Sequence, residues 1–352
     1  GELILRARQK NKAIRALLVG ACATLLCLAA WWLHWSWFVS LEFQSWAWRA
    51  RWLAPPSIAT ERIKLVVLDQ ETLAQTTGSI SEEGAPSPPA TFTTVPWPWP
   101  REVYAGLIDY FNRCGAKSVA FDVLFTEPSY IDVFDDRKLG EAMSGCRNFI
   151  CAMMLEGGSM EATALATSWP SYIRKPGLVI EGLKEWMQAA GPVPKLRYEK
   201  GIFPVKDIVG FGPEQPPIAM GNVNAYPDKD DVIRKVRLFN LFQDEPVPSL
   251  ALASYLMAYP MTRLKIEPGH FWLDNHVIPI DREGYAWLRF RGPCKVYPTV
   301  PAVAVWQSEL LLQDEERVKK GEKPFLAPSY FRDCHVFFGF TAPGLRDLMT
   351  TS

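Results

Sequence analysis

Two aspartates and an arginine are the residues of this chain best placed to hold a ligand. Asp69 closes the apolar stretch Ile63-Lys-Leu-Val-Val-Leu68, and Asp122 lies within Ser118-Val-Ala-Phe-Asp-Val-Leu-Phe125. Both stretches are β-branched and apolar and read as buried strands. In open parallel sheets ligands bind in the crevice beyond the C-terminal strand ends. Two carboxylates there could hold a cation or a basic ligand group. Arg101 opens the helical pattern between the strands and could reach the same edge. The same three residues also fit an arrangement without ligand, in which the aspartates cap the following helices and pair with Arg101.

Other side chains carry alternatives of the same kind. Asn224, Asp228, Asp230 and Asp231 surround an acidic turn. They lack the glycine and distal glutamate of an EF-hand, and an ordinary hairpin turn also explains them. Trp97 and Trp99, in Pro96-Trp-Pro-Trp-Pro-Arg101, could form an aromatic lid over a ligand. A stiff extended segment packed on the core fits them equally, because proline restricts the backbone. Cys114 and Cys146 end helical patterns, while Cys151 and Cys334 begin strands. In a parallel α/β unit those ends share one edge of the sheet. An oxidising compartment then permits one disulfide among the four, with Cys146 as the favoured member. Cys146 or Cys294, if left reduced, is expected to be open to a reagent confined to the outer side.

No C-x-x-C, zinc spacing, H-E-x-x-H, phosphate loop or nucleophile elbow occurs. Catalytic residues, a metal site and cofactors are therefore not expected. Lys plus Arg and Asp plus Glu both number 38, so no basic excess points to nucleic acid. A membrane-anchored metal-dependent hydrolase using Asp69 and Asp122 is the alternative to a binding domain.

The elements that must position these residues follow from periodicity. Residues 16–41 form one uncharged, mostly apolar run, and about 20 apolar residues of helix cross a bilayer. Arg6, Arg8, Lys10, Lys12 and Arg15 precede it, and short basic flanks stay cytoplasmic. The expected order is a cytoplasmic basic segment (1–15), a transmembrane helix (16–41), a membrane-proximal helix and connector (42–62) stopped by Pro55-Pro56, and an extracytoplasmic domain (63–352). Residues 63–68, 118–124, 149–155 and 335–340 are expected in one central sheet. Helices are expected from Arg101 to Gly115, from Asp135-Asp136 to about Gly145, and from Ser249 to about Met257. This alternation predicts a three-layer α/β domain with a mixed, largely parallel sheet. Residues 156–215 read as an excursion from the sheet, with one helical pattern over 178–190. Residues 219–226 and 233–239 read as an antiparallel pair around the acidic turn.

The ordered motifs resemble one family. They are Val67-Leu-Asp69, Trp97-Pro-Trp-Pro-Arg101, Gly115-Ala-Lys-Ser-Val-Ala-Phe-Asp-Val-Leu-Phe-Thr-Glu-Pro128, Gly221-Asn-Val-Asn224, Asp228 to Arg234, Arg289-Phe-Arg-Gly-Pro293, and Phe338-Gly-Phe-Thr-Ala-Pro-Gly-Leu-Arg-Asp347. Together they resemble the second type of CHASE domain, the cyclases/histidine kinases associated sensory extracellular domain. Asp231 departs from the family pattern, which has Gly there.

The resemblance implies an extracytoplasmic sensor on a bacterial inner-membrane receptor. Its output would be a class III adenylate cyclase, a histidine kinase or a Ser/Thr kinase outside this chain. Asn224 and Arg234, inside these motifs, join Asp69, Arg101 and Asp122 as candidate ligand-binding residues. The expected partners are the membrane, a small-molecule or protein signal, and a second copy in a homodimer. The chain opens on Gly, and the family pattern runs past Ser352, so further residues are expected on both sides.

Overall fold

The computed structural model describes residues 2–32, 36–53, 58–77, 95, 97–156, 165–191, 196–209, 218–228, 230, 232–291, 296–342 and 350–351. It divides into two units, Gly1–Pro55 with Arg289–Pro293, and Pro56–Leu288 with Cys294–Ser352.

The first unit contains α1 (Glu2–Trp32) and α2 (Ser36–Leu53). Leu17, Leu18, Val19, Leu25, Leu26 and Trp32 are exposed on α1, as are Trp48 and Trp52 on α2. The run expected as one helix, 16–41, lies on α1 and α2, with residues 33–35 outside the described set. Among the described residues, no helix is long and apolar enough to cross a membrane. The basic cluster lies in the first half of α1, and α2 carries Glu42, Arg49 and Arg51 along its length.

The second unit begins with α3 (Ile58–Glu61), β1 (Ile63–Leu68), α4 (Gln70–Thr77), α5 (Arg101–Cys114), β2 (Ser118–Phe121), α6 (Val133–Gly145) and β3 (Phe149–Glu156). The strand His335–Phe340 inserts between β1 and β2, parallel to both. Thr299–Pro301 adds in parallel to the outer side of β1, and β3 adds in parallel to β2. Ala219–Asn222 continues the parallel sheet beside β3. Lys200–Ile202 and Leu165–Ala166 extend it antiparallel from the far end of β3. All four expected strands thus share one mixed, largely parallel sheet of eight.

Period-two alternation divides its two faces. Val66, Leu68, Phe121, Cys151 and Phe338 pack with α5, α6 and the helix Ala302–Gln313 in one buried cluster. Ala120, Ile150 and Phe337 pack with Leu250 and Ala253 of the helix Leu250–Ala258 in another. Helices on both faces of a parallel sheet are the expected three layers.

Local signals operate as read. Gly115 takes φ 72° after the last turn of α5, a conformation that costs glycine little. Ser249 Oγ accepts from Leu252 N at 3.2 Å and starts the helix that follows.

Two expectations differ. Residues 219–226 and 233–239 do not pair with each other. Lys235–Arg237 pairs with Tyr285–Trp287, and Phe239–Phe242 turns back on Glu245–Pro248. Residues 219–222 pair instead with β3, where Met220, Gly221 and Asn222 are buried. The pattern over 178–190 is a short strand, Ile180–Glu181, followed by a helix at Leu183–Ala190. Ile180, Trp186, Leu241, Ile266 and Phe271 form a third apolar cluster, built largely from β-hairpins.

Candidate functional site

The sheet edge brings two of the predicted residues toward one another. Phe121 is opposite Phe338, and Asp122 N donates to Phe338 O at 2.8 Å, so Asp122 follows next to Gly339. Gly339 in turn pairs with Val67 of β1. A Cβ built on Gly339 meets only the Asp122 Cβ, at 3.7 Å. Asp122 therefore shares the face of Ala120, away from α5, with its side chain exposed.

Asp69 stands just past Leu68, and its Oδ1 accepts from Thr72 N at 2.8 Å. That bond satisfies one of the unpaired donors at the start of α4, so Asp69 is a helix cap.

Arg101 does not join them. Its Nε donates to Asp136 Oδ1 at 3.1 Å and its Nη2 to Glu127 O at 2.9 Å. The guanidinium also lies 4.7 Å from the Phe125 ring centroid. The predicted three-residue crevice is thus split. The helix that carries Arg101 lies on the opposite face from Asp122, and a buried carboxylate on α6 takes the charge.

The partner of Arg101 belongs to a buried acidic pair that capping logic places wrongly. Asp135 and Asp136 were expected to cap α6, but Asp132 does so, accepting from Asp135 N at 2.9 Å. Pro100 offers α5 no side-chain cap. Asp135 supplies it across space, with Oδ2 accepting from Arg101 N at 2.8 Å and Oδ1 from Glu102 N at 3.0 Å. Asp136 Oδ2 accepts from Ser129 N at 2.8 Å. Asp135 is 6% exposed and Asp136 1%. Two carboxylates are thus buried at a helix N-terminus, where the dipole and N–H groups favour negative charge.

The remaining candidates are structurally engaged. Asn224 Oδ1 accepts from Leu155 N at 2.8 Å, and its Nδ2 donates to Leu155 O at 2.5 Å, which continues the β3 ladder by a side chain. Arg234 is buried and donates to Asp228 Oδ2 at 3.1 Å and to both oxygens of Asp230 at 2.8 Å. This bidentate contact holds the Asp230 carboxyl below its ordinary value. One guanidinium thereby ties together the two described carboxylates of the acidic turn; Asp231 lies outside the described residues.

Trp99 is no lid. It is 2% exposed, and its Nε1 donates to Thr76 Oγ1 at 3.3 Å. Trp97 packs edge-on against Phe340 with centroids 5.8 Å apart.

Sequence reading missed one polar cluster. Ser118 Oγ lies 2.7 Å from Ser254 Oγ and 2.8 Å from His335 Nδ1. Burial, then the charge of Lys117, pushes the imidazole below its usual range. The only trace in sequence is polar residues at the starts of two strands expected to be apolar.

The expected disulfide is absent. Cys114, Cys146, Cys151 and Cys334 are free and buried. Each thiol is already committed: Cys151 is fully buried in the main core, and Cys146 Sγ lies 3.1 Å from Asn148 Oδ1. Burial pushes Cys114 and Cys146 up to about 11 and Cys151 up to about 12. Only the thiolate reacts, and at 2% exposure Cys146 is no reporter of an outer surface. Cys294 lies outside the described residues. With an aromatic disulfide reagent at pH 8, these four thiols are expected to stay silent until denaturant is added. Rapid stoichiometric labelling of Cys146 in the native protein would contradict this placement.

Among the described residues, no group of three or more His, Cys, Asp or Glu side chains is arranged to hold a metal ion. The arrangement offers a capped sheet edge with one exposed carboxylate beside a glycine. In comparison with known proteins, the CHASE2 domain family model matches residues 22–352. No curated protein and no solved structure matches the chain. A family match over almost the whole length establishes that the chain belongs to the CHASE2 domain family, an extracellular sensory domain family of receptors.

Proposed function

We propose that this chain is the signal-sensing input domain of a bacterial membrane receptor, placed outside the cytoplasm. It controls a class III adenylate cyclase, or a histidine or Ser/Thr kinase, carried elsewhere in the same protein. The observation that carries this reading is the family match over residues 22–352. The α1 helix supports membrane association, since leucines exposed around a helix call for lipid or another protein as cover. A homodimer through α1 and α2 would supply part of that cover, and dimeric effectors respond when a ligand favours one arrangement over another.

The test is made on the full-length receptor. Deleting residues 63–352 is expected to leave a competent effector whose output no longer varies with the external medium. An output that still follows the medium as in the intact receptor would overturn the sensory reading. Turnover of a phosphate-ester or peptide panel by the purified chain, abolished by Asp69→Ala and Asp122→Ala, would favour the hydrolase instead.

A further inference from the structure

We infer that the apolar tip between β2 and α6 is a contact between two copies of this chain, related by a two-fold axis. Tyr130, Ile131, Val133 and Phe134 are 59%, 49%, 39% and 65% exposed. Single exposed apolar residues are ordinary on a protein surface, whereas four within five positions make a patch of the kind that marks an interaction site.

Hydrogen bonds hold the tip outward. Ser129 Oγ donates to Asp135 Oδ2 at 2.5 Å and accepts from Ile131 N at 3.2 Å, and Ser129 N donates to Asp136 Oδ2 at 2.8 Å. Asp132 Oδ1 caps α6. Asp135 and Asp136 are buried and are fixed in turn by the backbone of α5 and by Arg101. The backbone under the tip is therefore ordered before anything binds, and a partner that covers it loses little conformational entropy there.

The chemistry of the patch selects the partner. Arg137 follows Val133 by four residues and Phe134 by three, so it shares their side of α6. It is exposed, and its guanidinium lies 5.6 Å from the Phe134 ring centroid. Asp132, also exposed, interrupts the apolar run. Among the described residues neither Arg137 nor Asp132 has an ion-pair partner. A two-fold contact needs one patch that is complementary to itself. This patch carries both signs of charge beside two aromatic anchors, so Arg137 of each copy can meet Asp132 of the other around an aromatic centre. A lipid surface fits less well. Asp132 would enter it together with the apolar side chains, and Glu127, exposed just before the tip, repels anionic headgroups.

The inference deepens the homodimer of the sensory reading and rests on that reading only for what the dimer does. Cross-linking tests the contact, and effector output tests the sensor, so the two fail separately. The test uses the full chain with Cys22, Cys27 and Cys294 replaced by serine, the other four thiols being buried. Tyr130→Cys and Phe134→Cys, treated with a short bismaleimide, are each expected to give a covalent dimer. Val179 is 82% exposed, beside the hairpin-built cluster. Val179→Cys reports chance collision and should give at least about tenfold less dimer. Arg137→Glu, which sets like charges opposite each other, is expected to lower the Phe134→Cys yield by about tenfold. Adding Asp132→Asn should recover part of it, because asparagine removes the repelled carboxylate and keeps the helix cap. Yields at positions 130 and 134 no higher than at 179, or a yield that Arg137→Glu leaves unchanged, would overturn the proposal. So would quenching by bromine-labelled lipid of a dye carried on Phe134→Cys, which would place the tip in a bilayer.

Discussion

Asp136→Ala is expected to destabilise the domain by about 3 kcal/mol, toward the lower end of what breaking a buried ion pair costs. The carboxylate is 1% exposed and the Arg101 side chain 17% exposed, at 3.1 Å. Removing it leaves a guanidinium nearly out of water and takes the acceptor from Ser129 N. Arg101 keeps Glu127 O and the Phe125 ring, which moderates the loss. For a domain of this size each kcal/mol lowers the melting temperature by about 2–4 °C, so a fall of roughly 6–12 °C is expected. Adding Arg101→Met should recover part of it, because an apolar pair carries no stranded charge. Thermal melting of the single and double variants checks both statements. A fall of less than about 2 °C for Asp136→Ala would mean that the pair contributes nothing of note.

Gly221→Ala should be of similar size, for a steric reason. A Cβ on Gly221 would lie 2.7 Å from Leu250 Cα and 2.8 Å from its Cδ1, with Ile150 Cγ2 at 3.3 Å. The first contact is with backbone, so no rotamer change relieves it. The helix Leu250–Ala258 must retreat from the sheet, and Leu250 and Ala253 then lose burial against Ala120 and Ile150. Overpacking of this kind costs typically 1–3 kcal/mol, and the backbone contact puts this case at about 3 kcal/mol. Urea unfolding measures it. A variant as stable as the parent would show that the helix does not rest on this strand.

Both cases separate what was legible in the chain from what was not. The four central strands could be read from the sequence because a buried parallel strand is a short β-branched run, and the helices between them have a period that differs from it. The helix end at Gly115 and the helix start at Ser249 were legible for the same reason. Each depends on residues within a few positions. Family membership was legible as well, since it rests on the order of motifs. The partner of each charged group was not. Asp135 and Asp136 look like caps for the helix they begin, yet they serve α5, more than thirty residues earlier in the chain. Arg101 had Asp69, Asp122 and Asp136 as possible partners, and nothing along the sequence ranks them. The choice was made when α5 and α6 packed side by side on one face of the sheet, which buried one carboxylate against Arg101 and left Asp122 on the other face. Strand and cap signals act over a few residues of backbone, whereas an ion pair belongs to whichever groups the packed helices desolvate together.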